Sequence, residues 1–200
     1  YRFVVPTQEH LANYNQEGEI VSGWKFTSAK SIINSTPEHH VIDGLDLIFF
    51  NDKVGGLYYL NRKGEQRETE SNVISNIANY SGGKIFFEKS NTLVTSKVVY
   101  ADTLGRIMSE YLGGSKDSLT IVGNISNTQL IYTDINNDNS TDFLVLNSGL
   151  IRAFSKDKSI LFTVHGESDN QAYMESYKGS PHLGMLNAAT STLKLFNTDG

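Results

Sequence analysis

The 200-residue chain has no cysteine, three prolines (Pro6, Pro37 and Pro181) and a single tryptophan, Trp24. Without cysteine there can be no disulfide, no thiol nucleophile and no thiolate metal site. No apolar run approaches membrane-spanning length, and the mean hydropathy is −0.31, so membrane insertion is not expected. A basic stripe is also missing. Seventeen Lys and Arg stand against 22 Asp and Glu, for a formal net charge of −5, and the cations are scattered; a phosphate backbone would be repelled, and nucleic acid is not an expected partner. The opening Tyr1-Arg2-Phe3-Val4-Val5 reads as a strand, with no charged segment leading into an apolar one, so any export signal has been removed or lies upstream. Two catalytic motifs are lacking as well. Gly-x-Ser-x-Gly is absent, and Gly82-Gly83-Lys84 is no phosphate loop, because Ala78 and Ile85 occupy positions that need Gly and Ser or Thr.

What is present is a β pattern. Hydrophobic residues make up 38% of the chain and aromatics 10%, enough to bury a core at this length, and no segment keeps a helical period. Polar turns recur between apolar runs at Asn15–Gly18, Asn61–Gly64, Asp102–Gly105, Ser155–Lys158 and Asn197–Gly200, spaced by 46, 41, 53 and 42 residues. That is the period of a four-stranded propeller blade. Leu45–Phe50 is expected to pair with Gly56–Leu60, Lys84–Glu88 with Lys97–Ala101, Phe143–Asn147 with Leu150–Phe154, and His182–Leu186 with Thr192–Phe196. A fourth strand is expected after each turn, at Glu19–Phe26, Glu65–Glu70, Arg106–Leu112 and Ser159–His165. Leu47-Ile48-Phe49-Phe50 and Phe143-Leu144-Val145-Leu146 are apolar without alternation, as strands covered on both faces should be. The expected architecture is all-β, a single β-propeller domain over residues 1–200. The first repeat opens at its second strand and the last stops at a turn, which fits four to five blades of a larger propeller, or a five-bladed ring closed imperfectly.

Asn15-x-x-Gly18 followed by Trp24 resembles the turn-and-tryptophan pattern of the bacterial WD40/YVTN/PQQ-like propeller superfamily, and Asn61-Arg62-Lys63-Gly64-Glu65 fits the same hairpin without the Trp. The resemblance implies architecture, with Trp24 docking against the following blade and filling space there.

The sharpest chemical motif is Asp134-Ile135-Asn136-Asn137-Asp138-Asn139-Ser140-Thr141-Asp142. It sets oxygen donors at loop positions one, three, five and nine, the kind of set a hard cation such as Ca²⁺ requires. The spacing resembles the calcium hairpins of FG-GAP propeller repeats. That resemblance implies side-chain ligands from Asp134, Asn136, Asp138 and Asp142, and the carbonyl of Ser140. The same Asp and Asn side chains could instead cap the turn's own amides. His39-His40 with Asp43 and Asp46 makes a poor metal cluster, since adjacent residues of an extended segment point to opposite faces; surface histidines on a loop are expected there.

These features favour a non-catalytic propeller, periplasmic or at the cell surface, that binds protein or glycan through loops of several blades. The alternative is a quinoprotein-type or carbohydrate-active enzyme. The residues expected on inner strands, Ile74–Ala78 and Leu130–Thr133, are mostly uncharged, which favours binding.

Overall fold

The computed structural model describes residues 2–69, 73–74, 85–120, 128–147, 150–165, 170–177, 180–187 and 190–197. Among them there is no helix. The described residues form sixteen strands in five antiparallel sheets. The first pairs β1 (Phe3–Thr7) with β2 (His10–Tyr14); the second is β3 (Glu38–Ile42), β4 (Leu45–Asn51) and β5 (Leu57–Leu60). The third holds β6 (Phe86–Glu88), β7 (Lys97–Ala101), β8 (Arg106–Tyr111) and β9 (Lys116–Thr120), and the fourth β10 (Thr128–Thr133), β11 (Asp142–Asn147), β12 (Leu150–Phe154) and β13 (Ile160–His165). The fifth is β14 (Asn170–Tyr177), β15 (Ser180–Asn187) and β16 (Thr192–Asn197). In each sheet the strands neighbour one another in chain order, the meander expected of a propeller blade.

The expected hairpins form: Ile48 pairs with Leu60, Phe86 with Val99, Phe143 with Phe154 and Leu183 with Phe196. The fourth-strand expectation needs correcting. After Gly18 and Gly64 the described residues of these segments make only single ladder bridges, Tyr14 to Ile20 and Leu60 to Gln66, so Glu19–Phe26 is not a full strand and neither are residues 65–69, the described part of Glu65–Glu70. Lys25 N–H donates instead to the Lys63 carbonyl, while Asn61 N–H to the Glu65 carbonyl and Arg67 N–H to the Tyr59 carbonyl are the two bonds of the Leu60–Gln66 bridge itself.

The repeat is also phased differently at its third turn. Asp102–Gly105 joins the second and third strands of its sheet, where Asn61–Gly64 follows the third. Its true counterpart is Asp52-Lys53-Val54-Gly55: both Asp side chains are buried, each Oδ1 accepts the N–H four residues on, and Gly55 and Gly105 both have positive φ. The turn equivalent to Asn61–Gly64 is Tyr111–Gly114. In Asn15–Gly18, Asn61–Gly64, Tyr111–Gly114 and Ser155–Lys158 the fourth N–H donates to the first carbonyl, and the fourth residue has φ of 81°, 78°, 93° and 72°. Arg106–Tyr111 is therefore a third strand, not a fourth.

By its contacts the chain divides into two compact units, Tyr1–Asp102 with Arg106–Ser118 and Thr103–Gly105 with Leu119–Gly200. In the first, β4 is covered on both faces. Leu47 and Phe49 enter one cluster with Ile42, Leu57, Tyr59, Val98 and Tyr100, while Ile48 and Phe50 enter another with Leu11, Ala29 and Leu60. Phe50 stacks on Tyr58 at 4.8 Å and meets Phe26 edge-on at 5.5 Å. In the second unit, Leu144, Leu146, Ile151 and Ala153 pack with Leu183 and Met185, and Phe143 and Val145 are buried as well. Burial on both faces is why neither strand alternates.

Candidate functional site

The Asp134–Asp142 hairpin links β10 to β11. Asn137 and Asn139 both take left-handed φ, 62° and 64°, a conformation asparagine tolerates better than most residues. Asp134 accepts the N–H groups of Asp138 (3.1 Å) and Asn139 (2.8 Å). Asn136 accepts from Asp138 N–H (3.1 Å), and Asp138 accepts from Ser140 N–H (2.7 Å) and from the Asn136 amide (2.9 Å). Asp142 differs from the rest: it is fully buried, its Oδ2 accepts from Ile135 N–H (3.0 Å), and its Oδ1 has no partner. Burial raises its carboxyl above the ordinary range, with the charges of Asp138 and Asp134 adding to the shift. The loop therefore caps its own backbone, as turn-forming Asp and Asn do. Among the described residues no three His, Asp or Glu side chains gather at metal-binding distance. What a cation could add is a partner for Asp142 Oδ1.

Trp24 docks where the turn pattern implied. Its ring lies against Gly64 of the second sheet's turn, so close that a Cβ at Gly64 would come within 2.9 Å of it, and its Nε1 donates to the Leu11 carbonyl (2.8 Å). The ring is half-buried, and both contacts are structural.

The two histidines sit on a strand, β3, and not on a loop. As expected of adjacent strand residues they separate: His39 donates to Asp46 Oδ1 (2.9 Å), while His40 donates to Glu38 (3.1 Å) and packs on Phe87. Of the inner-strand residues, Leu130–Thr133 lies in β10, and residues 75–78 fall outside the described set.

Two features of the first unit were not legible beforehand. One is an aliphatic face at the turn after β4. Asp52 holds this turn through Val54 N–H (3.0 Å), Gly56 N–H (2.7 Å) and the Tyr58 hydroxyl (2.9 Å), leaving Val54 63% exposed at the tip. Lys53 N–H to the Ile32 carbonyl, and Ile74 N–H to the Gly55 carbonyl, draw Ile32 (43% exposed) and Val73 (54% exposed) alongside. The equivalent turn of the next sheet exposes Leu104 at the position of Val54. The Asp-x-Val/Leu-Gly repeat was the available signal.

The other is a cavity of about 480 Å³ at the opposite end of β4. Val4, Pro37, Ile48 and the buried Asn13 line its interior, and Arg2, Glu38, His39, Asp46 and Arg62 bring charge to it. Asp46 accepts from His39 and from Arg62 Nε (3.0 Å); these bonds hold its carboxyl below the ordinary range, the His39 bond contributing most.

Short antiparallel meanders with central strands covered on both faces define the class: the chain is a β-propeller. No protein-family model matches the sequence, and no curated protein does. Solved structures do match it in fold. BBS1N, solved in complex with ARL6DN, is similar over 97% of this chain and 55% of its own, with a TM-score of 0.62 at 15% identity. A catalytically inactive virginiamycin B lyase from Staphylococcus aureus, solved with quinupristin, is similar over 94% of this chain and 62% of its own, with a TM-score of 0.55 at 11% identity. The chain thus spans a little over half the length of BBS1N, and at these identities the likeness shows the fold alone.

Proposed function

We propose that this propeller is a non-catalytic binding module whose partner is a protein, taken on the face formed by Ile32, Val54 and Val73. The carrying observation is the exposure of these three aliphatic side chains around a turn that Asp52 makes rigid. Clustered apolar exposure on a pre-ordered loop marks interaction surfaces, because burying it costs little ordering entropy. That BBS1N was solved in complex with ARL6DN supports a protein partner for the architecture; the lyase supports only that the architecture also hosts an enzyme, and the alternatives to a protein-binding module are a glycan ligand or an enzyme of quinoprotein or carbohydrate-active type. A photo-reactive residue at position 54, expressed in the source cells, should give a discrete protein adduct that the same residue at position 17 does not. The purified partner should then lose binding to a folded Val54→Asp variant. Identical adducts from both positions, or full binding by Val54→Asp, would overturn the reading.

We also propose that the Asp134–Asp142 hairpin accepts Ca²⁺, in the manner of FG-GAP repeats, with Asp134, Asn136, Asp138, Asp142 and the Ser140 carbonyl as ligands. The unpartnered buried Oδ1 of Asp142 supports this. Exchanging amide partners for a cation implies weak affinity of the extracellular kind, which suits a periplasmic or cell-surface location. Added Ca²⁺ should raise the melting temperature, and Asp138→Ala should abolish the response. No binding at millimolar Ca²⁺ would leave the loop as a capped turn.

A further inference from the structure

The cavity at the far end of β4 from the Val54 turn lies wholly within the first unit, and its charges balance. Arg2 and Arg62 stand there against Glu38 and Asp46, with His39 beside them. A carboxylate ligand would face Glu38 and Asp46, and an ammonium ligand would face Arg2 and Arg62. Neither sign gains. What these side chains keep is hydrogen-bonding capacity. Arg62 spends Nε on Asp46 and Arg2 spends Nη1 on the Arg62 carbonyl, and the other guanidinium N–H groups of both have no partner among the described residues. Glu38 accepts from His40 through one oxygen, and Asp46 accepts one side-chain donor on each of its two, from His39 and Arg62. A carboxylate oxygen can take about two donors, so both carboxylates can accept more.

The lining is amphipathic. Glu38, His39 and Arg62 are exposed, whereas Ile48 is buried and Val4 and Pro37 are half-buried, so the open side is polar and the inner wall apolar; Asn13 is too deeply buried to reach a ligand. A hydroxyl both donates and accepts, so a ligand dense in hydroxyls meets guanidinium and carboxylate groups at once while carrying no charge. An aliphatic ligand would strip water from these polar groups and replace none of its bonds. A heteroaromatic ring would call for a stacking partner, and among the described residues no Phe, Tyr or Trp lines the cavity. A peptide backbone brings one donor and one acceptor per residue, fewer than the lining can use. The volume of about 480 Å³ falls within the usual range of small-ligand sites, roughly 300–1,000 Å³.

We infer that this cavity binds a neutral saccharide unit, its hydroxyls on Arg2, Arg62, Glu38 and Asp46 and a C–H face of its ring against Pro37. The inference does not depend on the Val54 face, and its failure would leave that reading standing. The test is a titration followed by amide NMR shifts, with the methyl glycosides of glucose, galactose, mannose and N-acetylglucosamine as probes. The uronate and the amino sugar of the same ring are the charged controls, free glycine is the zwitterion, and N-acetylglycine N-methylamide is the peptide arm. At least one neutral glycoside should shift the amides of residues 39, 46, 48 and 62, with a dissociation constant in the millimolar range. Its charged counterparts should both bind about fivefold more weakly, and its own affinity should not change with ionic strength, since screening acts on charged ligands. Glu38→Ala and Arg62→Ala, both at exposed positions and checked by melting temperature, should each weaken it about fivefold. A gain in affinity on extending the tightest probe to a disaccharide assigns the site to a glycan chain; no gain assigns it to a free sugar. Tighter binding of a charged sugar, of glycine or of the peptide arm, undiminished binding by both variants, or no shift of these amides by any of the four glycosides at tens of millimolar would overturn the inference.

Discussion

Asp142 shows how much one side chain's surroundings matter. The sequence placed it last in a row of oxygen donors, equivalent to the others; in the structure it is the only one of them fully buried, with one oxygen bonded to Ile135 N–H and the other to nothing. Burial raises its carboxyl above the ordinary value of 3.8. The native state therefore holds this proton more tightly than the unfolded chain does, and its contribution to stability grows as pH falls through the raised value toward 3.8. Asp142→Asn should remove that pH dependence and, without added cation, raise the stability of the protein at neutral pH. Melting curves with chelator, from neutral pH to about pH 4, check it. Destabilisation at neutral pH would mean that the carboxylate charge is needed even without a cation. Asp46 contributes with the opposite sign. Its bonds to His39 and Arg62 depress its carboxyl, so the stability they add is present above 3.8 and lost as pH falls through the lowered value.

At the level of turns and strands, the hairpins were legible because their apolar runs and Gly-, Asn- or Asp-rich connections are local signals. The phase of the third repeat was not. Asp102-x-x-Gly105 and Asn61-x-x-Gly64 look alike in sequence, yet only backbone pairing shows that one closes a second strand and the other a third. The outer strands after Gly18 and Gly64 failed for a similar reason: whether an extended segment joins a ladder depends on bonds to another element, here Lys25 N–H to the Lys63 carbonyl. Gly64 sits at this junction with φ +78°, and a Cβ would meet Phe26 N at 2.8 Å and the Trp24 ring at 2.9 Å. Gly64→Ala should cost about 2–3 kcal/mol in a denaturant titration. In a Trp24→Ala background the cost should fall by about 1 kcal/mol without vanishing, because the backbone clash and the positive φ persist. Strictly additive effects would show that the ring does not press on the turn.

For the molecule as a whole, the distribution of burial predicts a gradient of opening. Strand β4 is paired on both edges and covered on both faces, while β1, among the described residues, is paired only with β2 and leaves Phe3 57% exposed. Native-state hydrogen exchange should find the amides of Leu47–Phe50 among the slowest in the first unit, and those of Phe3–Val5 faster by orders of magnitude. Uniform protection across the two strands would contradict this packing. The net charge of −5 likewise places minimum solubility near the sequence pI of 5.5, which a solubility series against pH would show.

The sequence by itself determined the all-β class, the approximate blade period, the doubly covered strands and the capping chemistry of the Asp134 loop. Each of these is written in residues close together in the chain, through composition, hydrophobic runs and turn preferences. The tertiary structure decided the repeat phase, the face around Val54 and the cavity around Asn13. Those join residues far apart in sequence, Arg2 with Arg62 and Ile32 with Val73, so they exist only once strand pairing has brought separate segments side by side. An unpartnered carboxamide is equally invisible beforehand, since what a polar side chain lacks depends on every neighbour that folding places around it.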